Sequence, residues 1–486
     1  MSCKGLFGQE AWIRYISENE MPVLRDTVAK LEQIAKDDTA SLSQLGQAIL
    51  HDHGLTARIL RIANSACYNR GRQQVTTVSR AVVMLGFKAI KQICITAQML
   101  DTLLADQRMD PNVYQRLVLL IARSLLAGML VKKLLHKSDA DTQEEYFLAA
   151  LMRRLGEAAF WRSNSDVAIF LDEKLRFAEQ HHKSTEYQHS LIRDLLGTSF
   201  ERMSQGLAAS WHLGSTVEAS LADDPENNYL MRALLLADGL SAELISMHPN
   251  GKKKQQYEAK IGQLLGVGPQ TVEKEIQSCQ QGTIELMHAY GAGRLVKYLN
   301  VKDVVLPAEA DSSVSNEALQ LKILHELTNM AVEKVDINMV MHSALEGIYR
   351  GIGMDTVLIF MLTRDRRGLK PRFVSGKDSV HLKDDFEVAI GREQNLFTHC
   401  LQSFEPIWCR SHHDKWQRFI SAKLLKLTPE SGFFIAPLAV EKRSIGLVYA
   451  DRKLGHIELE ETSFVAFQHF VQQTNLCLTK MMHPNG

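Results

Sequence analysis

A histidine beside an aspartate is the pair from which a divalent-metal hydrolase site is most readily built, and the chain offers it twice. His51-Asp52, followed by His53, lies in LHDHG, and His412-His413-Asp414 lies in RSHHDKWQRF. Neutral imidazole and carboxylate can donate to a cation, but one ligand alone does not hold it. Three consecutive residues on a helix cannot all point at one ion. Asp52 therefore reads as a helix N-cap or first-turn acid, favourable to the helix dipole. The second triplet sits in a polar, loop-like segment, and His181-His182 precedes Lys183 in another polar stretch, so both are expected to face solvent. The seven cysteines (Cys3, Cys67, Cys94, Cys279, Cys400, Cys409 and Cys477) form no CxxC pair, which fits isolated thiols in a reducing compartment. The chain has no GxxxxGK[ST], GxSxG or HExxH motif.

The elements that must position any site follow from length and pattern. At 486 residues the chain is too long for one core, and about 150 residues per domain suggests roughly three units. Basic and acidic side chains number 56 each, so no general attraction to nucleic acid or anionic membrane is expected. The N-terminus lacks an apolar run of signal-peptide length, and no stretch approaches the ~20 apolar residues of a membrane span. A soluble, cytoplasmic protein of bacterial type is the expectation.

From Met21 to about His288 the pattern is helical. Leu55, Ile59, Ile62 and Ala66 make one apolar stripe, and Ile90, Ile93, Ala97 and Leu100 another. Asn64 and Ser65 can end a helix by bonding local backbone, and Gly86 suits a helix join. Pro249-Asn250-Gly251 marks a break before Lys252-Lys253-Lys254, read as a solvated face. Residues 261–277, IGQLLGVGPQTVEKEIQ, admit a helix-turn-helix, but Glu273 and Glu275 disfavour a DNA groove, and a plain αα-hairpin is expected. The polar stretch 301–317 reads as a linker. Beyond it, helices near Glu317–Lys334 and Ile337–Gly351 precede a strand at TVLIFML (356–362). GFFIAPLAV and SIGLVYAD form a hairpin across Glu441-Lys442-Arg443, and a last helix, Glu460–Met481, puts Phe464, Phe467, Val471 and Leu478 on one face.

The blocks MPVLRDTVAKLEQI, LTARILRIANSACYN and SRAVVMLGFKAIKQI occur in order over roughly residues 20–100. They resemble the HDOD family, a non-catalytic offshoot of the HD phosphohydrolases, with the likeness extending to about residue 280. The resemblance implies an all-α domain over 21–240, after an N-terminal segment 1–20 and before a helical extension 241–300. Active HD enzymes hold their ion with a histidine, a His-Asp dyad and a distant aspartate. Here the flanking EEYFLAAL and LG place the dyad on Arg153 and Arg154, and the earlier histidine position falls on Arg123. Guanidinium groups offer no lone pair to a cation. Only Asp238, in LLLADGL, keeps a ligand type, left without ligand partners. The resemblance thus implies a degenerate site with no catalytic residue, no metal and no cofactor. Whether Arg123, Arg153, Arg154 and Asp238 share a pocket that holds an anion, or are merely solvated or ion-paired, is open at this point.

Residues 318–480 are similar to a GAF domain, a sensing or dimerising α+β module. The carriers are LKILHELTNMAVEKVDINMVMHSALEGIYRGIGMDTVLIFML and GFFIAPLAVEKRSIGLVYADR. The Asn-Lys-Phe…Asp-Glu set of cyclic-nucleotide-binding members is missing; Asn395-Leu396-Phe397 only echoes it. Cys400 and Cys409 read as ordinary thiols, so the sequence names no GAF ligand. The whole is expected to be multidomain, an all-α HDOD-like domain plus an α+β GAF-like domain. Its expected role is non-enzymatic signal transduction, with other signalling proteins as partners, a small molecule in the GAF-like domain, and a homodimer as a further option. A divergent HD-type phosphohydrolase acting on a nucleotide is the first alternative, and a nucleic-acid-binding regulator the second.

Overall fold

The computed structural model describes residues 6–35, 49, 53–65, 67–69, 74–105, 109–163, 165–222, 228–246, 250–299, 316–333, 335–376, 386–390, 395–411, 415–420, 424, 427–441, 443–452 and 458–482. His51-Asp52, His412-His413-Asp414, Cys3 and linker residues 301–315 lie outside them. The chain divides into two compact units: residues 1–37, 61–72 and 88–308 form the first, and residues 38–60, 73–87 and 309–486 the second. The described residues of segments 38–60 and 73–87, which the sequence pattern groups with the helical half, thus fall in the second unit. No described helix is long and apolar enough to cross a membrane.

Every described regular element before residue 300 is helical. The α-helices in chain order begin with α1 (Gln9–Tyr15), α2 (Pro22–Ala35), α3 (His53–Ala63), α4 (Val78–Leu104), α5 (Pro111–Leu134), α6 (Ala140–Met152) and α7 (Leu155–Arg162). Then follow α8 (Asp166–Gln180), α9 (Thr185–Leu196), α10 (Phe200–Trp211), α11 (Ser215–Ser220), α12 (Tyr229–Ile245), α13 (Gly251–Leu265) and α14 (Pro269–Ala289). Their starts are written locally. Asp110 caps α5 by accepting the Asn112 and Val113 amides at 2.9 and 3.2 Å, with Pro111 preset for the first turn. Asn250 caps α13, so the lysine triplet begins a helix on its exposed side, as the turn signal implied. Gly266, left-handed at φ 70°, ends α13 before α14 begins at Pro269, which makes the expected αα-hairpin. The Ser65 hydroxyl donates to the Ile62 carbonyl at 2.7 Å and closes α3, the local bonding expected of it.

Gly86 interrupts α4 with φ 81° and ψ 167°, a conformation essentially reserved for glycine. The break falls one residue before the chain passes from the second unit to the first at Phe87 and Lys88. A Cβ there would meet nothing within 4 Å, so the obstacle to a side chain is backbone strain alone. Gly86→Ala is expected to destabilise the protein by about 1–3 kcal/mol, read as a lower urea midpoint at unchanged slope.

The second unit holds a six-stranded antiparallel sheet in the order β3-β2-β1-β6-β5-β4. The strands are β1 (Thr356–Leu362), β2 (Gly368–Gly376), β3 (Val388–Ala389), β4 (Ile407–Cys409), β5 (Phe433–Val440) and β6 (Arg443–Asp451). The helices are α15 (Asn316–Val332), α16 (Ile337–Glu346), α17 (Leu396–Ser403) and α18 (Glu461–Met482). β1 and the β5–β6 hairpin stand where the apolar runs placed them, with Val440 opposite Arg443 at the turn. Phe467, Val471 and Leu478 of α18 are buried as their spacing requires, while Phe464 packs less deeply beside Phe434. Phe360, Phe386, Phe397, Phe433 and Tyr449, all without solvent contact, fill one core cluster. Cys279, Cys400 and Cys477 are free thiols, and burial pushes Cys400 up and Cys279 to about 12.

Candidate functional site

The four positions singled out by the sequence meet in the first unit. Arg123 lies midway along α5, whose neighbours Ile121, Ala122, Ser124 and Leu125 are buried. Arg153 and Arg154 occupy the break between α6 and α7, Arg153 closing one helix and Arg154 (φ −107°, ψ 12°) opening the next. That break is held by Gly156, whose amide donates to the Ser204 hydroxyl at 2.9 Å. A Cβ on Gly156 would stand 2.6 Å from the Ser204 backbone nitrogen, so α7 meets α10 this closely only with glycine there. Asp238 projects from α12, a helix capped by Asn228 and buried along Ala233, Leu234, Ala237 and Ser241.

Asp238 is the centre of the cluster. Its Oδ1 accepts from Arg123 Nη2 at 3.0 Å, and its Oδ2 from Arg154 Nη2 at 3.0 Å. Arg153 Nε stands 3.8 Å from the same Oδ2, while Arg153 Nη1 donates to the Ser220 carbonyl. The carboxylate thus has three cationic neighbours, whereas the sequence left it without ligand partners. Burial alone would raise its carboxyl, but Arg154, Arg123 and Arg153 outweigh that and hold it below the usual range. Burial lowers Arg123 and Arg153, whereas Asp238, Glu157 and Glu201 offset it at Arg154. All three remain cationic at any working pH.

Glu157 and Glu201, together with the Ser220 carbonyl, complete the surroundings, and sequence reasoning missed all three. Glu157 accepts from Trp161 Nε1 at 3.3 Å, and Glu201, mostly exposed, is 3.8 Å from Arg154 Nη1. Glu157 lies four residues before Trp161, a helical spacing that could have signalled it. Nothing in the sequence marks Ser220. The donor set does not fit a divalent cation: guanidinium has no lone pair, and Asp238 is already engaged. Among the described residues no group of three or more His, Cys, Asp or Glu side chains could hold a metal ion. His181 and His182 are exposed, as expected.

The second unit has its own buried charges. Segment 73–87 lies in it together with α15 and α16. Glu326 of α15 accepts from the Thr76 amide at 2.5 Å and from the Thr77 hydroxyl at 2.8 Å. Glu346, at the end of α16 and without solvent contact, accepts from the Val78 amide at 2.9 Å and pairs with Arg350. Arg80 makes a two-pronged bond with Glu333. Three carboxylates therefore grip the start of α4, two of them on backbone amides at the positive end of its dipole.

Residues 21–224 match the HDOD domain family, and this part of the chain is an HDOD domain. The C-terminal part is an antiparallel sheet domain. Among solved structures, an HDOD domain protein of unknown function from Geobacter sulfurreducens is 17% identical, covers 58% of this chain and 98% of its own, and has a TM-score of 0.44. A GAF domain/HD domain protein from the same organism is 14% identical over 31% of this chain and 97% of its own, with a TM-score of 0.27. Residues 122 to 287 of a methyl-accepting chemotaxis protein are 16% identical over 34% of this chain and 99% of that one, with a TM-score of 0.28. No curated protein matches the chain.

Proposed function

We propose that the chain is a non-enzymatic regulatory protein of signal transduction, in which an HDOD output or scaffold domain is coupled to a GAF-like sensing or dimerising domain. The observation that carries this reading is the bonding of Asp238 to Arg123 and Arg154 at 3.0 Å each, with Arg153 beside them. By the HDOD resemblance these are the positions at which an HD hydrolase keeps its metal ligands. A carboxylate committed to guanidinium neighbours is not free to coordinate, and three fixed cations repel an incoming divalent ion. Such a protein acts by differential binding between two conformations, with other signalling proteins as its partners.

The GAF-like reading of the second unit is supported by its helices α15, α16 and α18 accompanying a six-stranded antiparallel sheet. The aromatic cluster of Phe360, Phe386, Phe397, Phe433 and Tyr449 packs in one core with residues of the sheet and of α17. For the full chain purified without chelator, the expected result is substoichiometric Mn, Fe, Ni and Zn by elemental analysis. No phosphate should be released from nucleoside mono-, di- or triphosphates after Mn²⁺ or Mg²⁺ is added. Stoichiometric metal together with metal-dependent turnover that disappears in Asp238→Ala would refute the reading.

A further inference from the structure

We infer that the arginine cluster around Asp238 binds the phosphate group of a small solute, with the Asp238 carboxylate acting as an internal anion that competes for the same donors. The inference rests on the reading of this site as one that holds no metal. Its first support is charge. Arg123, Arg153 and Arg154 share one buried carboxylate, which leaves an excess of two positive charges in the inner layer. Among the described residues, the further acids Glu157 and Glu201 offset only part of that excess. The Glu157 carboxylate accepts from Trp161, and the 60% exposed Glu201 side chain stands 3.8 Å from Arg154. Desolvated like charges repel strongly, and a counter-anion relieves that repulsion.

The second support is the count of donors. Each guanidinium carries five N–H bonds in a rigid fork. Against these the described residues supply the two Asp238 carboxylate oxygens, the Asp238 carbonyl at 3.5 Å from Arg123, and the Ser220 carbonyl. The Nε of all three arginines is shielded from solvent and has no hydrogen-bond partner among the described residues. Donors therefore exceed acceptors in a place where unmet donors are costly. The third support is access. The three side chains retain 19–22% of their exposure, against 10% for Asp238, so the cluster is open on the arginine side. Planar forks presented from two different helical segments suit a tetrahedral oxyanion, which can take paired N–H bonds from each.

The experiment follows the thermal midpoint and calorimetric binding of the full chain. Titrants are inorganic phosphate and adenosine monophosphate, with sodium chloride at matched ionic strength as the control. Phosphate and the nucleotide are expected to raise the midpoint by a few degrees, and chloride to leave it unchanged. Arg123→Gln should weaken binding about tenfold or more, whereas Asp238→Asn, which removes the competitor and keeps its shape, should strengthen it about as much. Far-UV circular dichroism verifies that each variant folds, and Asp238→Asn carries the test alone if Arg123→Gln does not. Tighter binding of the nucleotide than of phosphate assigns the site to a nucleotide; equal binding assigns it to the free ion. No binding by either the wild type or Asp238→Asn overturns the inference and leaves the non-enzymatic reading standing. Phosphate release from the nucleotide would instead overturn that reading, whatever the affinity.

Discussion

Asp238→Ala is expected to destabilise the protein by about 3–5 kcal/mol, because it leaves three guanidiniums facing one another without a buried partner. The wild-type carboxylate satisfies an N–H of Arg123 and one of Arg154, and lies 3.8 Å from Arg153. Water cannot take its place at the Nε atoms, which are closed to solvent in all three arginines. Burial acts against the charged form of every one of these arginines. Replacing one arginine instead, as in Arg153→Met, should cost far less, because Arg153 has the longest approach to Asp238 and the variant reduces the like-charge crowding. Denaturant unfolding of the two variants in chloride buffer checks the asymmetry. Equal losses would mean that the carboxylate is not the keystone of the cluster.

How far the sequence discloses this arrangement depends on what each feature needs from neighbours in space. The all-helical character up to residue 300 rests on periodicity, capping residues and glycine stops, which are local, and the break at Gly86 could be read for the same reason. β1, β5 and β6 are continuous apolar runs buried on both faces, the strand type a linear reading finds best. β2 was not legible: GLKPRFVSG carries exposed Lys370 and Arg372, and Pro371 stands opposite Phe360 where the β1–β2 register shifts. A proline is tolerated there only because of that irregularity, which the partner strand shares. At the site, residue types alone put guanidiniums, which offer no lone pair to a cation, at the positions to which the resemblance assigns metal ligands. That Arg123, Arg153 and Arg154 converge on Asp238 required the packing of four helices and the break between two of them. The partition of the chain was the least legible feature, because segment 73–87 is sequence-contiguous with the HDOD domain and yet packs with α15 and α16.

That segment sets the second large effect, a pH-dependent stability centred on Glu346. Burial pushes this carboxyl from 4.5 to about 7, despite the opposing pull of Arg350 and of the Val78 amide; nearby Glu326 adds to the rise. Glu326 is itself raised by burial, although Thr77 and Thr76 bond to it. A carboxyl whose folded value exceeds its unfolded value binds a proton more readily when folded. Its contribution to stability is therefore fully present below the unfolded value and is lost as pH rises through the folded one. Between about pH 4.5 and 7 the loss amounts to about 3 kcal/mol for Glu346. Glu326 acts in the same sense. Glu346→Gln keeps an oxygen to accept the Val78 amide while removing the ionisation. The variant should match the wild type near pH 5 and exceed its stability at pH 8.5, flattening the profile between. Parallel profiles for the two proteins would show that Glu346 keeps the same proton in both states. Ionised Glu346 bonds the Val78 amide more strongly, but the cost of burying its charge favours opening, so hydrogen exchange at that amide should quicken from pH 6 to 8 by more than the intrinsic rate predicts.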